Sequence, residues 1–117
     1  MGSVKTIRTM SAIAIMGAVF LAPAFAGSKI EEGKKIAFDR KKGNCLACHK
    51  IEGGTMPGDM GPPLVGIKKR FKNKKELRSQ IWDPTVRNPK TPMPPFGRHQ
   101  ILSEDEIDKI VEYVYSL

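Results

Sequence analysis

Cys45-Leu46-Ala47-Cys48-His49 sets two thiols close together, with an imidazole directly after the second. Three chemistries compete for such a run. A thioredoxin-like redox pair belongs at a strand-to-helix junction of an α/β pattern, but no alternating strand-like segment flanks these cysteines and nine prolines punctuate the chain. A structural zinc site wants four Cys/His ligands, and beyond the two cysteines only His49 and His99 are left to supply them. Covalent attachment of a c-type haem uses every residue of the run. The two thiols add to the two vinyl groups at one porphyrin edge, and the following imidazole comes to lie under the iron. The run therefore predicts one covalent haem c, with Cys45 and Cys48 as thioethers and His49 as the proximal iron ligand.

A second axial ligand must come from chain that has wrapped to the far face. Met56, Met60, Met93 and His99 are the choices. Met56 and Met60 follow His49 closely in a Gly- and Pro-rich loop and would stay on the proximal side. Met93 sits in Thr91-Pro92-Met93-Pro94-Pro95-Phe96-Gly97, where flanking prolines forbid a helix and stiffen the backbone. A soft thioether suits a haem that cycles between Fe(II) and Fe(III), so Met93 is the predicted distal ligand. Its bland alternative is a methionine filling a core gap. His99, within Gly97-Arg98-His99-Gln100, is the rival ligand and reads as solvent-facing. In Gly61-Pro62-Pro63-Leu64, the Pro62 carbonyl could accept from the second nitrogen of His49 and fix its ring, with Leu64 packing on the haem. An ordinary rigid turn explains that stretch equally well.

The chain has 117 residues and a formal charge of +8. Its beginning reads as a secretory leader. Lys5 and Arg8 make a positive start with no acid before Glu31, Ala12 to Ala22 is small or apolar throughout, and Ala24-Phe25-Ala26 fits the cleavage rule. The apolar run falls short of the ~20 residues that span a bilayer, so cleavage after Ala26 is favoured over a membrane anchor. This divides the chain into a leader, 1–26, and one domain, 27–117, which has no membrane span after cleavage and a net charge of +6 once Lys5 and Arg8 are removed. A domain this small usually needs a staple. Two cysteines this close cannot close a long loop, which leaves a cofactor to do it.

The elements that must position these groups are helical. Lys29 to about Lys42 is expected as a first helix, with Ile30, Ile36, Ala37 and Phe38 apolar, Gly33 small and Gly43 as its stop. Asn73, with Glu76 three residues on, caps a second in which Leu77, Ile81 and Trp82 face inward before Asp83-Pro84 ends it. Ser103 and Glu106 form a capping box for the third, stapled by Leu102 and Ile107. Ile107, Ile110, Val111, Val114 and Leu117 then repeat at helical spacing, and Gly33 would let this helix cross the first closely. The expected fold is all-α, wrapped round the porphyrin. Lys68, Lys69, Arg70, Lys72, Lys74, Lys75 and Arg78 form a basic run opposed in sequence only by Glu76. It could steer an acidic protein partner or remain a solvated surface. Export argues against nucleic acid.

Taken in order, Gly43-Asn44-Cys45-Leu46-Ala47-Cys48-His49, Gly61-Pro62-Pro63-Leu64, Ile81-Trp82-Asp83-Pro84-Thr85, Asn88-Pro89, Met93-Pro94-Pro95-Phe96-Gly97 and the ending through Tyr113-Val114-Tyr115 resemble SoxX. That family is the monohaem subunit of the sulfur-oxidising Sox system. The resemblance implies a class I cytochrome c-like fold, a heterodimer with the cytochrome SoxA, and a periplasmic location. It implies a place in an L-cysteine S-thiosulfotransferase that joins thiosulfate to a cysteine of the carrier SoxYZ, with electrons passing to a soluble cytochrome. The catalytic haem is then expected on SoxA, so this chain would not be an enzyme by itself. By the family's motif, Cys45 and Cys48 carry the haem, His49 is proximal and Met93 distal. The residues agree, since a haem with both axial positions filled transfers electrons and binds no substrate, and no third cysteine or Ser/His/Asp set stands out. A free-standing electron shuttle is the alternative. A structural or sensory haem protein with an open sixth position is a third reading.

Overall fold

The computed structural model describes residues 22–117 and the isolated positions Gly2, Ala14 and Gly17, with side chains described continuously from Gly27. The expected leader, 1–26, lies outside the described residues except for the backbone of 22–26 and those isolated positions. Among the described residues four helices appear in order: α1 (Ala22–Phe38), α2 (Ile67–Arg70), α3 (Lys74–Trp82) and α4 (Glu104–Tyr115), with 3-10 turns at Cys45–Ala47 and Pro84–Val86. There is no strand among the described residues, so the fold is all-α. No described helix is long and apolar enough to cross a membrane.

α4 is the hub, and its start follows from local chemistry. Ser103 Oγ accepts from Glu106 N at 3.2 Å, while the Glu106 carboxylate accepts from Ser103 N at 3.1 Å, so two otherwise orphan donors are paired. Leu102 and Ile107 bracket this box and are both buried. Ile107, Ile110, Val111 and Val114 form the buried stripe, each worth about 1.5–3 kcal/mol on removal from water. Leu117, expected to extend that stripe, lies beyond the helix. Ser116 caps α4 by donating its N–H to the Tyr113 and Val114 carbonyls, and Leu117 turns aside so that its carbonyl accepts from Ile67 N at 3.2 Å.

α1 and α4 cross in close contact because Gly33 has no side chain. A Cβ at Gly33 would overlap the Lys109 carbonyl. Around the crossing, Lys109 pairs with Glu32 at 2.7 Å and Asp105 at 2.8 Å, and the rings of Phe38 and Tyr113 meet tilted, 6.3 Å between centroids.

α1 differs from its expected bounds at both ends, being helical from Ala22 and stopping at Phe38 instead of near Lys42. Asp39 is responsible for the early stop. Its side chain accepts from Lys41 N at 2.8 Å, and its carbonyl accepts from Lys42 N and Asn44 N, both at 3.0 Å. These bonds replace the helical ladder with a turn that brings Gly43 N back to the Ile36 carbonyl at 3.1 Å.

α3 begins as expected, with Asn73 Oδ1 accepting from Glu76 N at 2.9 Å, and ends at Asp83-Pro84, where Asp83 caps the next turn through Thr85 N. α2 was not legible in the sequence as a separate helix. α3 is fastened to α4 by Lys74–Glu112 at 2.7 Å, Arg78–Asp108 at 2.6 Å and Arg78–Glu104 at 3.2 Å. Two members of the basic run are therefore opposed by α4 acids that lie far off in sequence.

Candidate haem site

The turn at 39–44 delivers Cys45 against the end of α1. Asn44, in the left-handed region at φ 47°, is a residue type that tolerates that conformation. Within the 3-10 turn, Cys48 N and His49 N donate to the Cys45 carbonyl at 3.2 and 2.9 Å, so the two thiols and the imidazole share one tight piece of backbone. The following loop is tied back to it. Gly58 N bonds the Leu46 carbonyl at 2.9 Å, Gly61 N the Cys48 carbonyl at 2.7 Å, and Leu64 N the Lys50 carbonyl at 2.9 Å.

This loop holds the His49 ring. Nδ1 lies 2.7 Å from the Pro62 carbonyl. A carbonyl can only accept, so Nδ1 carries the proton and donates, which leaves Nε2 as the ring's free lone pair. Gly61 presses on the same ring, and a Cβ there would sit 2.6 Å from Nδ1. Burial pushes the Cys45 thiol up to about 11, although the residue keeps some surface exposure. Before a haem is attached, burial thus favours its thiol over the thiolate.

Met93 comes from a different part of the chain. Its segment is pinned to the end of α3 by Gly97 N and Arg98 N donating to the Trp82 carbonyl at 3.1 and 3.2 Å. Thr91 Oγ1 accepts from Met93 N at 3.2 Å. The side chain is half-buried against the core.

Cys45, Cys48, His49, Pro62, Leu64 and Met93 all line one cleft of about 740 Å³. Of the rival ligands, His99 is exposed and does not line it, Met56 is 86 % exposed and does not line it, and Met60 stands at its margin, 69 % exposed. The cleft floor is apolar, with Ile67, Phe71, Ile81, Phe96, Ile110 and Val114. Arg40, Lys41, Lys42, Arg70 and Arg87 also line it, and no carboxylate does. A volume within the ~300–1,000 Å³ of small-molecule sites, two thiols beside an imidazole, and cations suited to propionates together fit a haem. No cluster of three or more His, Cys, Asp or Glu that could hold another metal occurs among the described residues.

Sequence reasoning missed Gln80 and the arginines of this lining. Gln80 follows Leu77 by three residues on the buried side of α3, and a polar residue within an apolar stripe was the available signal.

The family described as cytochrome c oxidase, cbb3-type, subunit III matches residues 28–114. The chain belongs to this cytochrome c family. An uncharacterized lipoprotein of Aquifex aeolicus (strain VF5) is 36 % identical over 76 residues, which are 64 % of this chain and 37 % of that protein. The chain thus spans little more than a third of that relative's length. The crystal structure of SoxXA from P. pantotrophus shares the fold with a TM-score of 0.65 at 27 % identity, covering 72 % of this chain and 77 % of that one. Family and structural neighbour together make this a SoxX-like monohaem cytochrome with one covalent haem c, an electron-transfer protein.

Proposed function

We propose that this cytochrome is the electron-transfer subunit of a SoxAX-type complex. Cys45 and Cys48 would hold its haem, His49 through Nε2 and Met93 through Sδ would hold the iron, and Pro62 and Leu64 would support the His49 side. The bound group supplies one-electron Fe(III)/Fe(II) chemistry. The chain's own residues would attach it, orient the imidazole through the Pro62 carbonyl and keep the apolar side of the cleft dry.

In the complex, a carrier cysteine on SoxYZ and thiosulfate join through a new sulfur–sulfur bond as the thiol S–H is lost. One proton and two electrons are released there, on a SoxA centre. This subunit would carry those electrons one at a time to a soluble cytochrome. The domain at 27–117 works in the periplasm after cleavage following Ala26.

The observation that carries this reading is the meeting of the Cys45–His49 turn, its Pro62 acceptor and Met93 in one cleft. Two measurements test it. The protein matured in a host that assembles c-type haem should keep its porphyrin through acid extraction and denaturing electrophoresis, and Met93→Ala should lose the weak far-red band of thioether-ligated ferric haem. Isolated from thiosulfate-grown cells, it should arrive with a second haem protein. A chain free of covalent porphyrin ends the haem assignment, while a monomer that reduces or oxidises other cytochromes alone makes it a free-standing shuttle.

A further inference from the structure

Gln80 is a polar side chain of the cleft that touches a proposed ligand and that the ligand assignment leaves without a task. It projects from α3 three residues after Leu77 and one before Ile81, both buried, where an apolar residue would ordinarily sit. Its Nε2 lies 3.9 Å from Met93 Sδ, a long contact consistent with sulfur's size. A thioether only accepts, so the amide N–H faces the sulfur and Oε1 faces away. That Oε1 is buried and has no hydrogen-bond partner. A buried acceptor left unpaired is destabilising, so leucine would suit the stability of this position better than glutamine does.

We propose that Gln80 is a positioning residue for Met93, its amide N–H holding the thioether sulfur in the orientation that iron requires. The inference rests on Met93 being the distal ligand. The prolines at 92 and 94 and the Thr91 bond fix the Met93 backbone but leave its side chain three rotatable bonds. Gln80 supplies the missing restraint at the sulfur itself. A sulfur lone pair remains for this donor when the other is used by iron. The unpaired Oε1 is the stability cost of placing that donor here, the pattern expected where function and stability compete.

The test is imidazole binding to the ferric holoprotein, because imidazole must displace the distal ligand, together with thermal loss of the far-red thioether band. Gln80→Leu keeps the bulk and removes the donor. It should bind imidazole about fivefold more tightly, the factor carried by one hydrogen bond's typical net worth, and should lose the band at a lower temperature, while global unfolding occurs no earlier than in the wild type. Gln80→Asn keeps the amide but draws it back by one methylene, and should behave like the leucine variant. Wild-type imidazole affinity in both variants, with Met93→Ala binding imidazole far more tightly, overturns the role of Gln80 and leaves the ligand assignment standing. If Met93→Ala itself keeps wild-type affinity and band, the ligand assignment and the role of Gln80 both fall.

Discussion

Replacing Gly61 by alanine tests how the proximal imidazole is held. Gly61 does not have a positive φ, so alanine suits its backbone and the whole effect comes from the added Cβ. That atom would lie 2.6 Å from His49 Nδ1 and closer still to Cε1. Restoring an ordinary contact of about 3.4 Å to Cε1, the nearest atom, requires the ring or the loop to retreat by about 1 Å. The ring cannot retreat freely, because Nδ1 is bonded to the Pro62 carbonyl at 2.7 Å and its residue is anchored through His49 N and Cys45. A retreat of that size breaks the Nδ1–H···O bond, which costs about 1 kcal/mol net. Overpacking adds about 1–3 kcal/mol, so the expected loss is ~2–4 kcal/mol. Denaturant titration of the holoprotein, followed by haem absorbance and by helical circular dichroism, measures it, and the reduction potential should shift because the imidazole loses its acceptor. Pro62→Ala keeps the accepting carbonyl and should cost less than half as much. Wild-type stability and potential in Gly61→Ala would refute the reasoning. Equal damage from Pro62→Ala would assign the effect to proline stiffness and not to the carbonyl.

Three other outcomes follow from the packing and charge. Gly33→Ala drives a Cβ into the Lys109 backbone carbonyl, which cannot swing aside as a side chain can, so the α1–α4 crossing must open at a cost of about 3 kcal/mol by thermal or denaturant unfolding. The Glu106 carboxyl is held below the usual glutamate value of 4.5, first by the Lys42 ammonium and next by the Ser103 backbone N–H. Its stabilising contribution is therefore full above that value and lost as pH falls through the lowered folded one, so the stability gap between wild type and Glu106→Gln should be flat near neutrality and close in acid. Electron exchange with an acidic partner cytochrome should slow about tenfold from dilute buffer to molar salt, and Lys68→Glu combined with Lys69→Glu should flatten that dependence in stopped-flow measurements.

What was legible in the sequence is what short-range chemistry decides. The α3 cap at Asn73, the α4 box at Ser103 and Glu106, and the Asp83-Pro84 stop each complete their hydrogen bonds within a few residues. The end of α1 was misjudged because the stop lies in Asp39, whose backbone and side chain gather the next turn, and not in the glycine at 43. α2 escaped notice because one turn of helix has no period to read, and the Leu117 carbonyl that anchors its start lies far along the chain. Gln80 escaped for a related reason, since its partner is a sulfur from another segment.

The basic run shows most clearly what folding adds to charge. In sequence it is a block with a single acid inside it. In the fold, Lys74 and Arg78 are matched by Glu112, Asp108 and Glu104 of α4, while Lys68, Lys69, Arg70, Lys72 and Lys75 make no ion pair among the described residues. Exposed pairs of this sort add little stability, yet each cancels a cation that would otherwise contribute to the external field. The uncancelled charge therefore shifts toward the start of the run, and there Arg70 lines the cleft together with Arg40 and Lys41, which are likewise free of ion pairs among the described residues. Haem propionates would neutralise part of the charge at the cleft, so the field that an acidic partner meets on approach is set first by the exposed Lys68, Lys69, Lys72 and Lys75.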